Sequence, residues 1–304
     1  RKIPICAVPD ISYGSFALDD GNFTINAETY QQIVNTEPFI EKYLRRFIGG
    51  EEFLHDIDRW CVWLKEATPS EIKKSSELLR RISLVKNWRS QSKRAATVKL
   101  AETPTLFAEI RQPDNSYVAI PTVSSERRNF IPVGFLPSTT IASNQLYIID
   151  NAQIYHFGIL SSTMHNAWIR VVSGKLESRN RYSNSIVYNN FPWPDLQDNA
   201  KCNKAKTAIE QAAQGVLNAR ALYQGGDEPC SLADLYDPLT MPAELTKAHH
   251  QLDAAVDAAY ALNGSKKSWK NDAERVAFLF ELYQRYTSLL PVEKPKRGRK
   301  RAIK

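Results

Sequence analysis

The chain lacks the run of 18 or more apolar residues that a membrane helix requires, although 43% of its 304 residues are hydrophobic. The expectation is therefore a globular protein without a membrane partner. Cysteine is sparse: Cys6, Cys61, Cys202 and Cys230 stand far apart, with no CxxC pair and no histidine at ligand spacing. That pattern disfavours a structural zinc and a disulfide framework, and fits a reducing cytosol. Glycine is also scarce, at 12 residues, and no GxGxxG or FxGxG turn is present to cradle a nucleotide-like cofactor. The first residues, Arg1-Lys2-Ile3-Pro4, include neither an initiator Met nor the apolar core of a signal peptide, so the start reads as a cut from something longer.

Charge is present but unevenly placed. Residues 1–194 hold 23 Lys/Arg against 19 Asp/Glu, residues 195–293 hold 10 against 14, and residues 294–304 hold 7 against 0. The net +7 of the whole chain thus equals the charge of its last eleven residues. A second basic concentration runs from Lys73 to Lys99, where nine Lys/Arg face only Glu77. Two local basic features point to a polyanionic partner, in which the acidic middle takes no part.

Pattern divides the chain in the same way. Up to Pro194, helical stretches alternate with short aromatic or branched runs: Trp60 to Leu64, Thr105 to Ile110, Tyr117 to Val123, Leu146 to Ile149 and Ile186 to Tyr188. Beyond it the periodicity is helical over Lys201 to Tyr223, Ala243 to Leu262 and Asp272 to Leu289. The expected class is α+β: a mixed α/β domain over 1–194, an all-α domain over 195–290, and a disordered basic tail over 291–304.

Within the first domain, Thr68-Pro69-Ser70-Glu71 supplies an N-cap, a proline at the first helical position and a capping-box glutamate. Leu78, Ile82 and Val85 then form an apolar stripe, which predicts that Lys74, Arg81, Lys86, Arg89 and Lys93 turn outward, as a solvated face or as phosphate contacts. In the tail, Arg297-Gly298-Arg299 resembles a minor-groove hook, but Lys300 stands where that motif usually has proline. Loose phosphate contact is therefore expected before groove insertion.

Chemistry-bearing constellations are weak. Asp114 followed by Glu126-Arg127-Arg128 imitates the spacing of a magnesium nuclease without its lysine, and His249-His250 with Asp253 and Asp257 reads as a wet helix face before it reads as a metal cluster. Val187-Tyr188-Asn189-Asn190-Phe191-Pro192-Trp193-Pro194 is more suggestive. Asn190 to Trp193 looks like a worn copy of the Asn-Pro-Pro-Tyr loop with which amino-methyltransferases hold a flipped adenine. Phenylalanine replaces the first proline, so the tight turn that aims the amide is not encoded.

Longer frames settle the comparison. Phe47-Ile-Gly-Gly50, Arg59-Trp-Cys-Val-Trp-Leu64, Ile120-Pro-Thr-Val-Ser-Ser-Glu-Arg-Arg128, Ile141-Ala-Ser-Asn144, Tyr188-Asn-Asn-Phe-Pro-Trp-Pro194, Ser231-Leu-Ala-Asp-Leu-Tyr-Asp-Pro-Leu-Thr-Met-Pro242 and Glu274-Arg-Val-Ala-Phe-Leu-Phe-Glu-Leu-Tyr283 closely resemble the C-terminal part of the MmeI-like DNA adenine methyltransferases. The likeness runs from about Tyr13 to Tyr286.

The resemblance implies a target-recognition domain and a helical C-terminal domain of a restriction-modification enzyme in the bacterial cytoplasm. Double-stranded DNA and an upstream methyltransferase domain are the implied partners. S-adenosylmethionine and the true catalytic loop would belong to that upstream domain, so no cofactor is expected on this chain. Asn190 to Pro194 then becomes a hinge between domains. Base-reading positions fall, by resemblance, at Thr122, at Asn144 and Gln145, and in the segment Arg179 to Arg181. Asn and Gln can pair with adenine N6/N7, Arg with guanine O6/N7, and Thr offers a hydroxyl and a methyl. Arg127, Arg128, Arg297 and Arg299 join the helix cations as phosphate contacts. Two other classes stay open: a helical docking module without DNA affinity of its own, and a magnesium-dependent nuclease through Asp114 and Glu126. A gel shift with and without magnesium separates all three.

Overall fold

The computed structural model describes residues 1–225, 228–266 and 269–288. The tail, with Arg297 and Arg299, lies outside the described residues. In chain order the strands are β1 (Ile11–Tyr13), β2 (Thr24–Asn26), β3 (Leu44–Ile48), β4 (Arg59–Val62), β5 (Tyr117–Pro121), β6 (Val123–Ser124), β7 (Gly134–Leu136), β8 (Ile141–Ala142), β9 (Leu146–Ile149), β10 (Gly174–Leu176) and β11 (Arg179–Arg181). They form three small sheets, ordered β1-β9-β5-β7, β2-β4-β3-β8 and β10-β11-β6. All named pairings are antiparallel except β3 with β8.

The mixed first region and helical second region are as the sequence pattern predicts. The long helices Ala200–Gln224, Ala243–Ala261 and Asp272–Thr287 follow the 3.6-residue periodicity, each with one apolar face buried. Two expected strands do not form. Thr105 to Ile110 contributes only a bridge between Phe16 and Glu109. Ile186 to Tyr188 lies in a single π-helical turn, Asn184–Tyr188, closed by the Asn189 N–H donating to the Asn184 carbonyl at 2.8 Å. Asn190 caps that turn, donating its side-chain amide to the carbonyls of Ser185 (2.8 Å) and Ile186 (3.0 Å). Local side-chain capping outweighs the β-branched composition there.

The border at Pro194 is a fixed joint, and the hinge expected there is corrected accordingly. One apolar core runs from β1, β5 and β9 through Phe191 and Trp193 to Ile209, Leu252, Tyr260 and Leu279 of the helical region. Polar bonds stitch the same seam: Tyr260 donates to the Pro192 carbonyl (2.9 Å), Tyr286 to the Trp193 carbonyl (3.1 Å), and Asp195 and Asn263 exchange two bonds at 3.0 Å each. A hinge has to expose something when it opens. Here opening would expose two indole- and phenyl-sized side chains that are 2% and 0% accessible.

Three histidines are held in this interior, and their burial sets a pH dependence. Burial lowers His165 to about 3 and His156 to about 4, in the latter case with help from the nearby Lys206 charge, and pulls His249 well below the ordinary 6.5. Each takes a proton in the unfolded chain before it does in the folded one. Their stabilisation is complete above pH 6.5 and is lost as pH falls toward the folded values. The unfolding free energy is expected to decline between pH 7.5 and 5.5, before ordinary carboxylates titrate. Chemical denaturation across that range checks it, and a flat profile would refute it.

Candidate nucleic-acid interface

The helix over Ser76–Ser90 starts as the sequence suggests, though in two steps. Thr68 caps a single turn, Pro69–Ile72, with Glu71 completing the capping box, and Ser75 caps the longer helix. Glu37 draws in that second start by accepting from the hydroxyls of Ser75 and Ser76. Lys74, Lys86 and Lys93 are exposed, as expected of phosphate contacts.

Arg81 and Arg89 are not, and the expectation for them is overturned. Positions 78, 81, 85 and 89 recur at three- and four-residue spacing, so the same periodicity that buries Leu78 and Val85 turns both arginines inward. Arg81 bonds Glu77 at 2.7 Å and the Asn22 carbonyl at 2.6 Å. Arg89, with no accessible surface, donates to five carbonyls: Leu18 (3.0 Å), Leu100 (3.1 Å), Thr103 (3.2 Å), Ala17 (2.8 Å) and Leu106 (2.9 Å). All five guanidinium N–H groups are spent inside the protein.

The segments singled out for base reading come together through the backbone. Ser143 to Leu146 is a β-turn joining β8 to β9, closed by the Leu146 N–H donating to the Ser143 carbonyl at 3.0 Å. Asn144 and Gln145 are its two central residues, and both are exposed. Pro121 pairs with Leu146 across β5 and β9, which sets Thr122 beside Gln145. Thr122 donates to the Gln145 carbonyl from its backbone N–H (3.1 Å) and its Oγ1 (2.9 Å). On the other side the Tyr182 N–H donates to the Thr122 carbonyl at 2.9 Å, and Arg181 pairs with Val123. Thr122, the Asn144-Gln145 turn and Arg181 therefore occupy one continuous edge, although they are spread over 60 residues of sequence.

Arg181 and Arg179 share one exposed face of the β10–β11 hairpin, with buried Asn180 between them on the other. Arg179 sits toward the hairpin tip and pairs with Glu177 at 2.8 Å, so Arg181 is the member that adjoins Thr122. The basic helix flanks this edge. Its Trp88 lines, with Phe47, Arg59, Asn144 and Gln145, a recess of about 280 Å³.

The remaining candidates separate. Arg127 is exposed in the turn after β6, but Arg128 is half-buried, and burial lowers its pKa against the opposing charge of Asp237. Asp114 precedes β5 and Glu126 follows β6, so these carboxylates lie at opposite ends of the β5–β6 path. His249 is buried against Phe130 and bonded to Tyr236 (2.8 Å). Asp253 accepts from Thr163 at the start of a helix (2.7 Å), and Asp257 pairs with Arg275 (3.0 Å). Among the described residues no group of three His, Cys, Asp or Glu side chains is placed to hold a metal. Residues that support the edge from below carry little sequence signal. Gly49 and Arg59 lie in the frames Phe47 to Gly50 and Arg59 to Leu64, and Gly14 and Glu52 outside the quoted frames, but no pattern shows what they touch.

Family models now decide the affiliation. The MmeI target recognition domain matches residues 1–195, and the MmeI C-terminal domain matches residues 201–291. The chain belongs to the MmeI family. A DNA methyltransferase A of Bacillus subtilis (strain 168) is 39% identical over 287 residues, covering 94% of this chain and 31% of the relative. The type IIL restriction-modification enzyme MmeI, solved in complex with DNA, superposes with a TM-score of 0.88 at 47% identity, over 95% of this chain and 37% of that one. The chain thus spans about a third of the length of these relatives.

Proposed function

We propose that this chain is the sequence-reading part of a restriction-modification enzyme, serving an S-adenosylmethionine-dependent adenine-N6 methyltransferase domain upstream in the same parent chain. A single observation carries the reading: Thr122, Asn144, Gln145 and Arg181 lie on one edge, beside a helix that presents Lys86. Edge groups of this kind specify bases in a major groove, and flanking cations hold phosphates without regard to sequence. The DNA-bound state of the MmeI structure supports the same assignment. Adenine is out of reach inside a stack, so a methylating domain must flip its target while a separate domain reads the neighbouring pairs.

The residues present do not fit the cofactor, which is why it is assigned to the upstream domain. The paired-glycine turn after β3, Gly49-Gly50, has its amides occupied by the protein's own Glu52 and Gln145. Asn190, in the segment that looks like a worn catalytic loop, has its amide spent on two carbonyls.

Selection of bound duplexes from a random pool tests the reading and yields the site. Asn144→Asp is then expected to change preference at one base pair by about 1–3 kcal/mol, because it replaces an amide donor with a negative charge. Lys86→Ala should weaken all sequences alike and lower the salt slope by about one. A chain that binds no duplex is a docking module. Magnesium-dependent cleavage would favour Asp114 and Glu126.

A further inference from the structure

Gln145 does not meet its surroundings as a free amide. The Gly50 N–H donates to its Oε1 at 3.3 Å. A backbone N–H needs an acceptor, so the oxygen must be the inward atom and the NH2 the outward one. That orientation is built from below. Glu52, buried in the Gly50–His55 helix, accepts the Gly49 N–H at 2.8 Å and pairs with Arg59 at 3.0 Å. Arg59 in turn donates to the Phe47 carbonyl (3.2 Å) and lies over the Phe47 ring. The Gly49-Gly50 turn is therefore fixed against β3 and β4. The approach is close enough that a Cβ on Gly49 would stand 2.4 Å from Gln145 Oε1 and 2.9 Å from the Arg59 guanidinium.

We infer that the Gly49-Gly50 turn makes Gln145 a donor-only reader, so that it selects guanine where a free glutamine would select adenine. This deepens, and rests on, the reading of Gln145 as a base contact. A free amide matches adenine by accepting from N6 and donating to N7. With its oxygen turned inward to Gly50, Gln145 presents only N–H groups outward. Guanine presents two acceptors, O6 and N7, whereas adenine sets its N6 donor against one of those hydrogens.

Gly50 permits a clean test. It is the first helical residue, it follows an extended Gly49 (φ −100°, ψ −166°), and the nearest atom to an added Cβ is the Gln145 carbonyl at 3.8 Å. Gly50→Pro is thus compatible with the backbone; it removes the N–H and sets the ring Cδ where that hydrogen met Gln145 Oε1, so the amide loses its anchor, while Gly50→Ala retains it. In competition binding with all four base pairs, the unsubstituted chain should prefer guanine to adenine by about tenfold at the pair whose preference Gln145→Ala relaxes. Gly50→Pro should narrow that ratio to about twofold, and Gly50→Ala should leave it. If Gly50→Pro fails to fold, judged by its melting curve, Gln145→Glu decides. Its carboxylate still accepts from Gly50 but offers no outward donor, so guanine should be rejected. Adenine preferred by the unsubstituted chain, a ratio unmoved by Gly50→Pro, or guanine retained by Gln145→Glu would each overturn the inference while leaving Gln145 a reader. If Gln145→Ala changes no position, the base-contact reading itself falls.

Discussion

Arg89→Ala is expected to destabilise the protein by about 3–5 kcal/mol, from carbonyls left without their donor and the cavity left by a fully buried side chain. The guanidinium is the shared donor for five carbonyls from three separate segments: Ala17 and Leu18, Leu100, and Thr103 and Leu106. The region from Thr103 to Ile110 forms no named strand, and apart from Arg89 it is tied to the first segment by the Phe16–Glu109 bridge and by the Ala108 N–H on the Ala17 carbonyl (3.3 Å). Truncation leaves the Leu18 and Leu106 carbonyls without a donor, at about 1–3 kcal/mol each unless water reaches them, while the carbonyls of Ala17, Leu100 and Thr103 keep the N–H groups of Ala108, Thr103 and Leu106. Arg89→Lys should recover little, since an ammonium has three donors and no planar fork. Lys86→Ala, one turn earlier on the exposed face, should stay within about 0.5 kcal/mol. Urea unfolding monitored by circular dichroism measures all three. If Arg89→Ala kept its midpoint and lost only DNA affinity, the outward phosphate role would be restored and the buried one refuted.

Arg89 also shows how sequence and structure part company. The capping signals at Thr68, the long helices after Pro194 and the strand Leu146–Ile149 are local properties, written in a few adjacent residues, and they were legible. Polarity was the misleading guide at Arg81 and Arg89. Periodicity pointed inward, and the carbonyls that satisfy the charge come from residues up to 72 positions away. The base-reading segments came from resemblance alone. Their meeting on one edge depends on β5 pairing with β9 and β11 with β6, long-range registers that short strands of two to five residues do not announce. The same holds at Ile186 to Tyr188, where β-branched composition reads as a strand while Ser183 and Asn190 cap a π-turn.

Gly14→Ala carries the second large expected effect, because it joins the fold directly to the reading edge. No left-handed backbone is involved at this glycine; what it provides is proximity. A Cβ there would stand 2.3 Å from the Ser143 carbonyl oxygen, 2.5 Å from that of Ala142 and 2.8 Å from the Ala142 carbonyl carbon. These are backbone atoms and cannot rotate aside, so the chain after β1 and the turn after β8 must separate. Separation lengthens the bonds that the Gly14 N–H makes to the Leu146 carbonyl (2.9 Å) and the Ser15 N–H to that of Ala142 (2.8 Å). Overpacking and two weakened bonds together cost about 2–4 kcal/mol. The displaced residues are Ser143 to Leu146, which carry Asn144 and Gln145. Discrimination between the selected duplex and a scrambled one should therefore fall by about tenfold or more, since base contacts require placement within a fraction of an ångström. Low-salt affinity for the scrambled duplex, set by exposed lysines such as Lys86 on a separate helix, should change little. Gly215→Ala is the matched control. It lies in the Ala200–Gln224 helix with no atom within 4 Å of an added Cβ, and it should stabilise by about 0.5–1 kcal/mol without touching DNA recognition. If Gly14→Ala lost stability but kept full discrimination, Asn144 and Gln145 would not be the residues that read the sequence.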